Sequence, residues 1–153
     1  MADEQQQPLF NIEKIYVKDL SVEVPNAPAI YLDRTQPEVN VELSTAANAI
    51  ENGFFEVTLK STVTAKAGET TMFLVEVAQA GIFQLRNIPE AEIEPVLMIG
   101  CANILFPYAR EAISDAVTRA GFQPVLLNPV NFEGMYHARL QQQQQAEASP
   151  IIQ

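Results

Sequence analysis

The segment FFEVTLKSTVTAKAGETTMFLVEV, residues 54–77, decides the fold because it contains two alternating strands joined by a short turn. Apolar side chains occupy odd positions on both sides of the turn: Phe55, Val57, Leu59, Val63, Phe73, Val75 and Val77. Charged residues and threonines fill most of the even positions. A period of two around a glycine turn predicts an antiparallel hairpin with one buried face. Farther along, Gly81 predicts a bulge where the buried parity shifts towards Phe83 and Leu85.

Two more strands extend this hairpin into a sheet. Between residues 10 and 24 the apolar side chains fall mainly at even positions, which predicts one buried face: Phe10, Ile12, Tyr16, Leu20, Val22 and Val24. The odd positions near the end of this strand are polar: Asp19, Ser21 and Glu23. Three prolines in residues 25–37 then predict a loop or crossover. A short strand at 39–43 follows it, with Val39, Val41 and Leu43 on one side.

Two helices are predicted after the strands. The first contains residues 109–120, preceded by a first turn with Pro107, and Gly121 is its terminator. The second begins at the N-cap Asn131. Strands followed by helices predict an α+β fold, a four-stranded antiparallel sheet with two C-terminal helices on one side. Residues 9–140 form its one domain, between predicted disordered tails at 1–8 and in the Gln-rich segment 141–153.

Two surfaces of this fold have alternative interpretations. One arc of the first helix is apolar and rich in alanine: Ala109, Ala112, Ile113, Ala116, Val117 and Ala120. On periodicity alone, the arc fits the chain's own sheet or a second subunit equally well. The polar sheet face combines Asp19 and Glu23 with Leu74 and Glu76, which suits a docking patch or an ordinary solvated face.

The charge and the cysteine content limit the partners and the compartment. The chain has 19 acidic and 9 basic residues and a net charge of −10, which disfavours nucleic acid and anionic membranes. Charge alone favours a role of the acidity in solubility, and the alternative is a basic protein or peptide as the partner. The N-terminus lacks the basic and apolar regions of a secretory signal, and the apolar runs are shorter than the ~20 residues of a membrane span. A single cysteine, Cys101, fits a reducing compartment. We therefore expect a cytoplasmic protein without direct membrane insertion.

The sequence offers no motif for catalysis or metal binding. His137 and Cys101 are the only histidine and cysteine, and they stand far apart without a recognised ligand spacing. The six glycines are scattered, so no phosphate-binding loop is formed, and no G-x-S-x-G nucleophile motif occurs. Glu90 and Glu92 are expected in a solvated acidic loop. We predict that the protein is not an enzyme and needs no cofactor.

Four segments resemble the SecB family of bacterial protein-export chaperones: IYVKDLSVEVPNAP (15–28), FLVEVAQAGIF (73–83), NILFPYARE (103–111) and PVNFEGMY (129–136). The likeness is collinear over residues 12–140. It implies a cytoplasmic, ATP-independent chaperone built as a dimer of dimers. Such a chaperone holds precursor proteins unfolded and delivers them to the SecA motor of the translocase. Thr35 stands where the family has a tryptophan in the crossover loop.

The resemblance also implies roles for individual residues. The sheet face that receives the motor's basic, zinc-binding tail corresponds to Asp19, Glu23, Leu74 and Glu76. The client-binding groove, between the crossover loop and the last helix, corresponds to Pro28, Ile30, Tyr31, Phe132, Met135 and Tyr136. The tetramer-forming helix corresponds to the alanine-rich arc, Ala109, Ala112, Ile113, Ala116, Val117 and Ala120. Any zinc belongs to the partner.

Two other functions are compatible with an acidic α+β domain. A small-molecule carrier would enclose an apolar cavity between the sheet and the helices. An acidic adaptor would bind a basic tail but no unfolded chain. An open groove favours the chaperone, and a closed pocket favours the carrier.

Overall fold

A computed structural model describes residues 6–148; the remaining parts of the two predicted tails, residues 1–5 and 149–153, lie outside the described residues. The strands are β1 (Leu9–Glu23), β2 (Glu38–Ala49), β3 (Phe54–Ala67) and β4 (Thr70–Arg86). The helices are α1 (Glu90–Pro95), a π-helical segment (Val96–Cys101), α2 (Ala102–Arg119) and α3 (Phe132–Ala148), and a short 3-10 turn lies at Ala29–Leu32. The strands form one antiparallel sheet in the order β1-β4-β3-β2. The α+β prediction is therefore confirmed, with the hairpin 54–77 at the centre of the sheet.

The core lies between the hairpin and α2. The odd positions of β3 and β4 are buried as the alternation predicts, and Val57, Leu59 and Val75 are fully inaccessible to solvent. From α2, Leu105, Ile113 and Val117 are also fully buried, and they belong to the same hydrophobic cluster. Burying one such aliphatic side chain stabilises the fold by about 1.5–3 kcal/mol, so this layer supplies much of the driving force for folding.

The long helix begins much earlier than predicted. The segments α1, π and α2 run continuously from Glu90 to Arg119, so Pro107 lies in the helix interior and not in its first turn. A proline there removes one backbone hydrogen bond and crowds the preceding turn. The burial of Leu105 and Phe106, the two residues that precede Pro107, offsets that cost. The prediction was wrong because it took Pro107 as a boundary, although tertiary packing overrides this local preference.

The acidic segment before α2 is helical as well. Glu90 and Glu92 lie in the first turn of α1 and not in a loop. Carboxylates at a helix N-terminus interact favourably with the helix dipole. By length and composition the continuous helix from Glu90 to Arg119 would also pass as a membrane span. Its packing on the sheet instead marks it as the core helix of the domain.

Strand β1 contains two bulges that the sequence analysis did not predict. The pairing with β4 shifts between Ile12 and Lys14 and again between Val17 and Asp19, so Glu13 and Lys18 are extra residues. The parity changes at each bulge, and Tyr16 consequently lies opposite Ala80 on the outer face of the sheet. The prediction of Tyr16 in the buried face was therefore wrong.

The inner face of β1 is apolar but largely uncovered. We call this set the β1 row: Phe10, Ile12, Val17, Leu20 and Val22, each between 39% and 49% exposed. The long helix covers the centre of the sheet and leaves this edge open. The predicted buried face of the first strand is thus apolar, as expected, but is not buried within one chain.

Gly81 does not shift the parity of β4. Odd positions remain buried from Phe73 to Leu85, and the nearby irregularity lies at Glu13 in the partner strand. Gly81 is needed for close packing, because a Cβ atom there would lie 2.8 Å from the Phe83 ring and 3.1 Å from the Lys14 carbonyl oxygen.

Helix α3 begins as predicted but ends later. The Asn131 side chain accepts a hydrogen bond from the Gly134 backbone N–H at 3.0 Å, which confirms the N-cap. The helix continues to Ala148 through the glutamine run, so the predicted disordered tail was wrong for residues 141–148. Glutamine and alanine are good helix formers, and this local preference extends the helix once it has begun.

Replacing Gly81 by alanine should destabilise the protein by about 1–3 kcal/mol, because the new methyl group has no free space. The matched control is Gly100→Ala, since a Cβ atom at Gly100 meets no atom within 4 Å. That control should leave the stability unchanged or raise it by up to about 1 kcal/mol. Urea unfolding at one fixed protein concentration measures both variants. Equal stabilities for the two variants would contradict this account of Gly81.

Candidate functional site

The four residues assigned to the docking face lie together on the outer face of the sheet. Glu23 is paired with Leu74, Ser21 with Glu76, and Asp19 with Ala78. This face is opposite the one covered by α2, to which Val75 and Val77 contribute. We call Asp19, Glu23, Leu74 and Glu76 the acidic patch. The antiparallel pairing of β1 with β4, on which this grouping depends, is confirmed.

The acidic patch combines exposed charge with one partly covered apolar side chain. Asp19 and Glu23 are exposed, whereas Leu74 and Glu76 are half-buried. Glu76 accepts a hydrogen bond from the Thr62 hydroxyl at 3.3 Å, which orients its carboxylate on the face. Met72, two residues before Leu74, does not join the patch: it is 8% exposed and lies at an irregularity in the pairing with β3. The patch therefore offers three carboxylates around Leu74.

A second charged cluster on the same face was not predicted. Glu56 of β3 accepts hydrogen bonds from the Tyr16 hydroxyl and from the Lys18 ammonium group, the latter with an N–O distance of 2.7 Å. We call Tyr16, Lys18 and Glu56 the Glu56 cluster. It joins β1 to β3 across β4. The signal that could have revealed it is the apolar run of Ile15, Tyr16 and Val17, because three consecutive apolar residues break a strict alternation.

The pKa values of Glu56 and Tyr16 are shifted in opposite directions. The hydrogen bonds from Lys18 and then from Tyr16 lower the pKa of the Glu56 carboxyl group. Burial, followed by the hydrogen bond to Glu56, raises the pKa of the Tyr16 hydroxyl to about 12. At neutral pH Glu56 is therefore ionised, and Tyr16 is a neutral donor that orients its carboxylate.

A groove runs along the edge strand β2. Its middle is a cavity of about 460 Å³ between β2 and α3, lined by Leu43, Ser44, Thr45, Ala46, Met98, Phe132, Met135, Tyr136 and Arg139. A cavity of about 520 Å³ adjoins it and shares Thr45, Ala46, Met98 and Arg139. A third of about 570 Å³ shares Leu43 and continues along Val39 and Val41 towards the loop before α3. We call the three together the β2 groove.

The structure divides the predicted client-binding residues into two groups. Phe132, Met135 and Tyr136 line the β2 groove. Tyr31 instead donates a hydrogen bond to the Ala120 carbonyl oxygen at 2.7 Å and stacks on Phe122. Pro28 is exposed and Ile30 is buried in the core, and neither of them lines the three cavities of the groove. The crossover loop therefore closes the end of α2, while α3 supplies the groove.

The alanine-rich arc of α2 faces the chain's own sheet. Ala109, Ile113 and Val117 are fully buried, and Ala116 is 3% exposed. Of the six predicted interface residues, only Ala112 and Ala120 retain partial exposure. Four of them are therefore covered within one chain, and a contact between subunits would use the remaining outer side of the helix or the β1 row.

Among residues 6–148, no group of three or more histidine, cysteine, aspartate or glutamate side chains is arranged to hold a metal ion. Burial raises the pKa of the Cys101 thiol to about 12, so this thiol is protonated at neutral pH. The surfaces described above offer apolar grooves and charged side chains. An open apolar groove beside a sheet edge, with a charged face on the other side, is typical of proteins that bind polypeptide chains.

Comparison with known proteins gives the family. Residues 3–143 match the family model described as preprotein translocase subunit SecB, and the chain belongs to the SecB family. The protein-export protein SecB of Dechloromonas aromatica is 61% identical over 151 residues, and the alignment covers 99% of this chain and 99% of the relative. That of Aromatoleum aromaticum is 67% identical over 134 residues, which cover 87% of this chain and 84% of the relative.

A solved structure supports the fold. The SecB-like chaperone of Mycobacterium tuberculosis, in complex with a peptide from an antitoxin, superposes with a TM-score of 0.67 at 18% identity. The alignment covers 79% of this chain and 90% of that chain. The likeness shows that the sheet and helices are arranged as in a SecB-like chaperone.

Proposed function

We propose that the protein is an ATP-independent cytoplasmic chaperone that holds unfolded precursor proteins in an export-competent state and delivers them to the SecA motor. Membership of the SecB family supports the chaperone function. The observation that carries the proposal is the β2 groove, an extended apolar trough on the surface of the domain. Its length along β2 suits a segment of unfolded chain better than a small compact ligand.

The geometry of the groove favours a chaperone over a small-molecule carrier. Met135 is 39% exposed, and Ser44 and Arg139 are also exposed, so the groove opens to solvent along its length. Within residues 6–148, β2 pairs only with β3, so no strand occupies its other edge, where an extended main chain could bond. The Thr45 carbonyl oxygen of β2 accepts a hydrogen bond from Arg139 at 3.4 Å. Methionine side chains at Met98 and Met135 adapt to apolar groups of different shapes. These features also distinguish the protein from an adaptor that binds only a basic tail.

Client binding should depend on the exposed apolar wall of the groove. Met135→Glu should weaken binding of an unfolded polypeptide about tenfold, because it places a charge against apolar client groups. The control is Ala138→Glu, which introduces the same negative charge at an exposed position of α3 outside the groove lining. The measurement is the delay in refolding of a slow-folding polypeptide at stoichiometric chaperone. A wild-type protein that causes no delay would refute the chaperone function, and equal effects of the two variants would refute the groove assignment.

The acidic patch is proposed to receive the basic, zinc-binding tail of the motor. Three carboxylates, from Asp19, Glu23 and Glu76, attract a basic segment, and this attraction weakens as salt screens it. Leu74 adds an apolar contact that salt does not screen. The patch and the β2 groove use different residues on opposite faces of the sheet, so docking and client binding are separable.

Reversing one charge of the patch should separate the two activities. Glu76→Lys and Asp19→Lys should each weaken binding of the zinc-loaded tail peptide at least tenfold, because attraction becomes repulsion. Client binding should stay within about twofold of wild type, since neither residue lines the groove. Glu147→Lys, at an exposed position near the end of α3, is the control for net charge. Tail affinity that is unchanged in both patch variants would end the docking proposal.

The chain is also proposed to assemble as a homotetramer, a dimer of dimers. Within residues 6–148, β1 pairs only with β4, and the adjacent β1 row is an apolar surface at an open sheet edge. Such an edge promotes aggregation unless it is covered. A second copy related by two-fold symmetry would cover both the edge and the row. The outer side of α2, including the half-exposed Tyr108, then remains for the contact between dimers.

Assembly should be lost when the β1 row becomes charged. Leu20→Asp should shift the protein to smaller species at micromolar concentration, because a carboxylate would be buried between subunits. The matched control is Ser21→Asp, since Ser21 lies next in the strand but faces the opposite side of the sheet. Light scattering measures the size of each species. A monomeric wild-type protein would refute the assembly, and a tetrameric Leu20→Asp variant would refute the role of the β1 row.

A further inference from the structure

Lysine side chains share the outer face of the sheet with the acidic patch. Lys18 is the extra residue of the second β1 bulge and immediately precedes Asp19. Lys60 of β3 is paired with Ala78, which is also the partner of Asp19 on the other side. A lysine that folded over Asp19 would neutralise part of the charge that attracts a basic segment.

The Glu56 cluster prevents this for Lys18. The Lys18 ammonium group lies 2.7 Å from one carboxylate oxygen of Glu56, and the Tyr16 hydroxyl donates to the other oxygen. Both oxygens of Glu56 are therefore engaged, and its carboxylate has a fixed orientation. The Glu56 side chain is 18% exposed, so this ion pair is less screened by solvent than a pair between two fully exposed side chains.

The surface of β4 permits the side chains of Tyr16 and Lys18 in β1 to contact Glu56 in β3. Glu56 is paired with Ile82, and Tyr16 with Ala80, so the hydrogen bonds cross β4 diagonally. Ala78 and Ala80 have short side chains that leave room above the strand for the lysine stem. Lys18, at the bulge in β1, extends its side chain over the same face of the sheet as Asp19. Its ammonium group nevertheless pairs with Glu56 in β3, which is two strands away from β1.

We propose that Glu56 is a positioning residue for docking, which holds Lys18 away from the acidic patch and so preserves the patch's negative charge for a basic partner segment. This inference rests on the proposed docking of the motor's tail at the acidic patch. Glu56 itself need not touch the tail. Its effect passes through Lys18, and this dependence is the feature that an experiment can detect.

A double-mutant cycle tests the dependence. The probe is the zinc-loaded tail peptide, titrated against the full-length protein at low salt. Glu56→Gln should weaken binding about three- to fivefold, because Lys18 is released towards Asp19. Lys18→Met alone should change the affinity by less than about twofold, since its charge is already paired. The double variant should regain wild-type affinity within about twofold, because the released charge is absent.

Two controls separate positioning from simple loss of charge. Lys60→Met removes a lysine from the same face, and no hydrogen bond joins Lys60 to Glu56. It should therefore change the affinity by the same factor in the wild-type and Glu56→Gln backgrounds. Tyr16→Phe keeps both charges of the ion pair but frees one oxygen of Glu56, so it should give a smaller loss than Glu56→Gln. This variant also provides a test if Glu56→Gln lowers the melting temperature.

The effect of Lys18→Met in the two backgrounds shows whether Lys18 acts on tail binding through Glu56 or independently of it. A Lys18→Met effect that is larger in the Glu56→Gln background supports the positioning role. An equal effect in both backgrounds overturns it, because Lys18 would then act independently of Glu56. If Glu76→Lys and Asp19→Lys both leave tail affinity unchanged, the docking proposal itself fails. A normal loss in Glu76→Lys with no effect of Glu56→Gln or Tyr16→Phe overturns only the role of Glu56.

Discussion

The packing of α2 on the central hairpin is the constraint on which the other surfaces depend. Because one helix covers only the middle of the inner face, β3 and β4 are buried while β1 and β2 remain at the edges. The outer face has no covering element within residues 6–148 and therefore carries polar and charged residues. The three surfaces proposed to function are those that the helix leaves free: two edges and one face.

Strand alternation and helix capping could be predicted from the sequence because both depend on local patterns. The hairpin 54–77, the Asn131 cap and the pairing needed for the acidic patch all follow from periodicity or short-range chemistry. The two β1 bulges could not be predicted by a strict period of two, since each inserts one residue and the two insertions together restore the original parity. Tyr16 was consequently placed on the wrong face, and the Glu56 cluster was missed.

The long helix and the groove depend on tertiary packing, which local sequence patterns do not encode. Pro107 ends many helices, but here the buried side chains beside it hold the helix against the sheet. The groove residues come from β2, the π-helical segment and α3, which are far apart in the sequence. The family resemblance indicated the α3 residues but also placed Tyr31 with them. In the structure Tyr31 instead satisfies a carbonyl group at the end of α2.

The two edge strands of the sheet, β1 and β2, both carry unpaired main-chain groups, but their surroundings differ. The β1 edge stands beside an uncovered apolar row, and a second copy of the same strand is the partner proposed for it. The β2 edge is flanked by α3, and Arg139 donates to the Thr45 carbonyl oxygen at 3.4 Å across the groove. The different surroundings of the two edges are the reason for proposing self-association at β1 and client binding at β2.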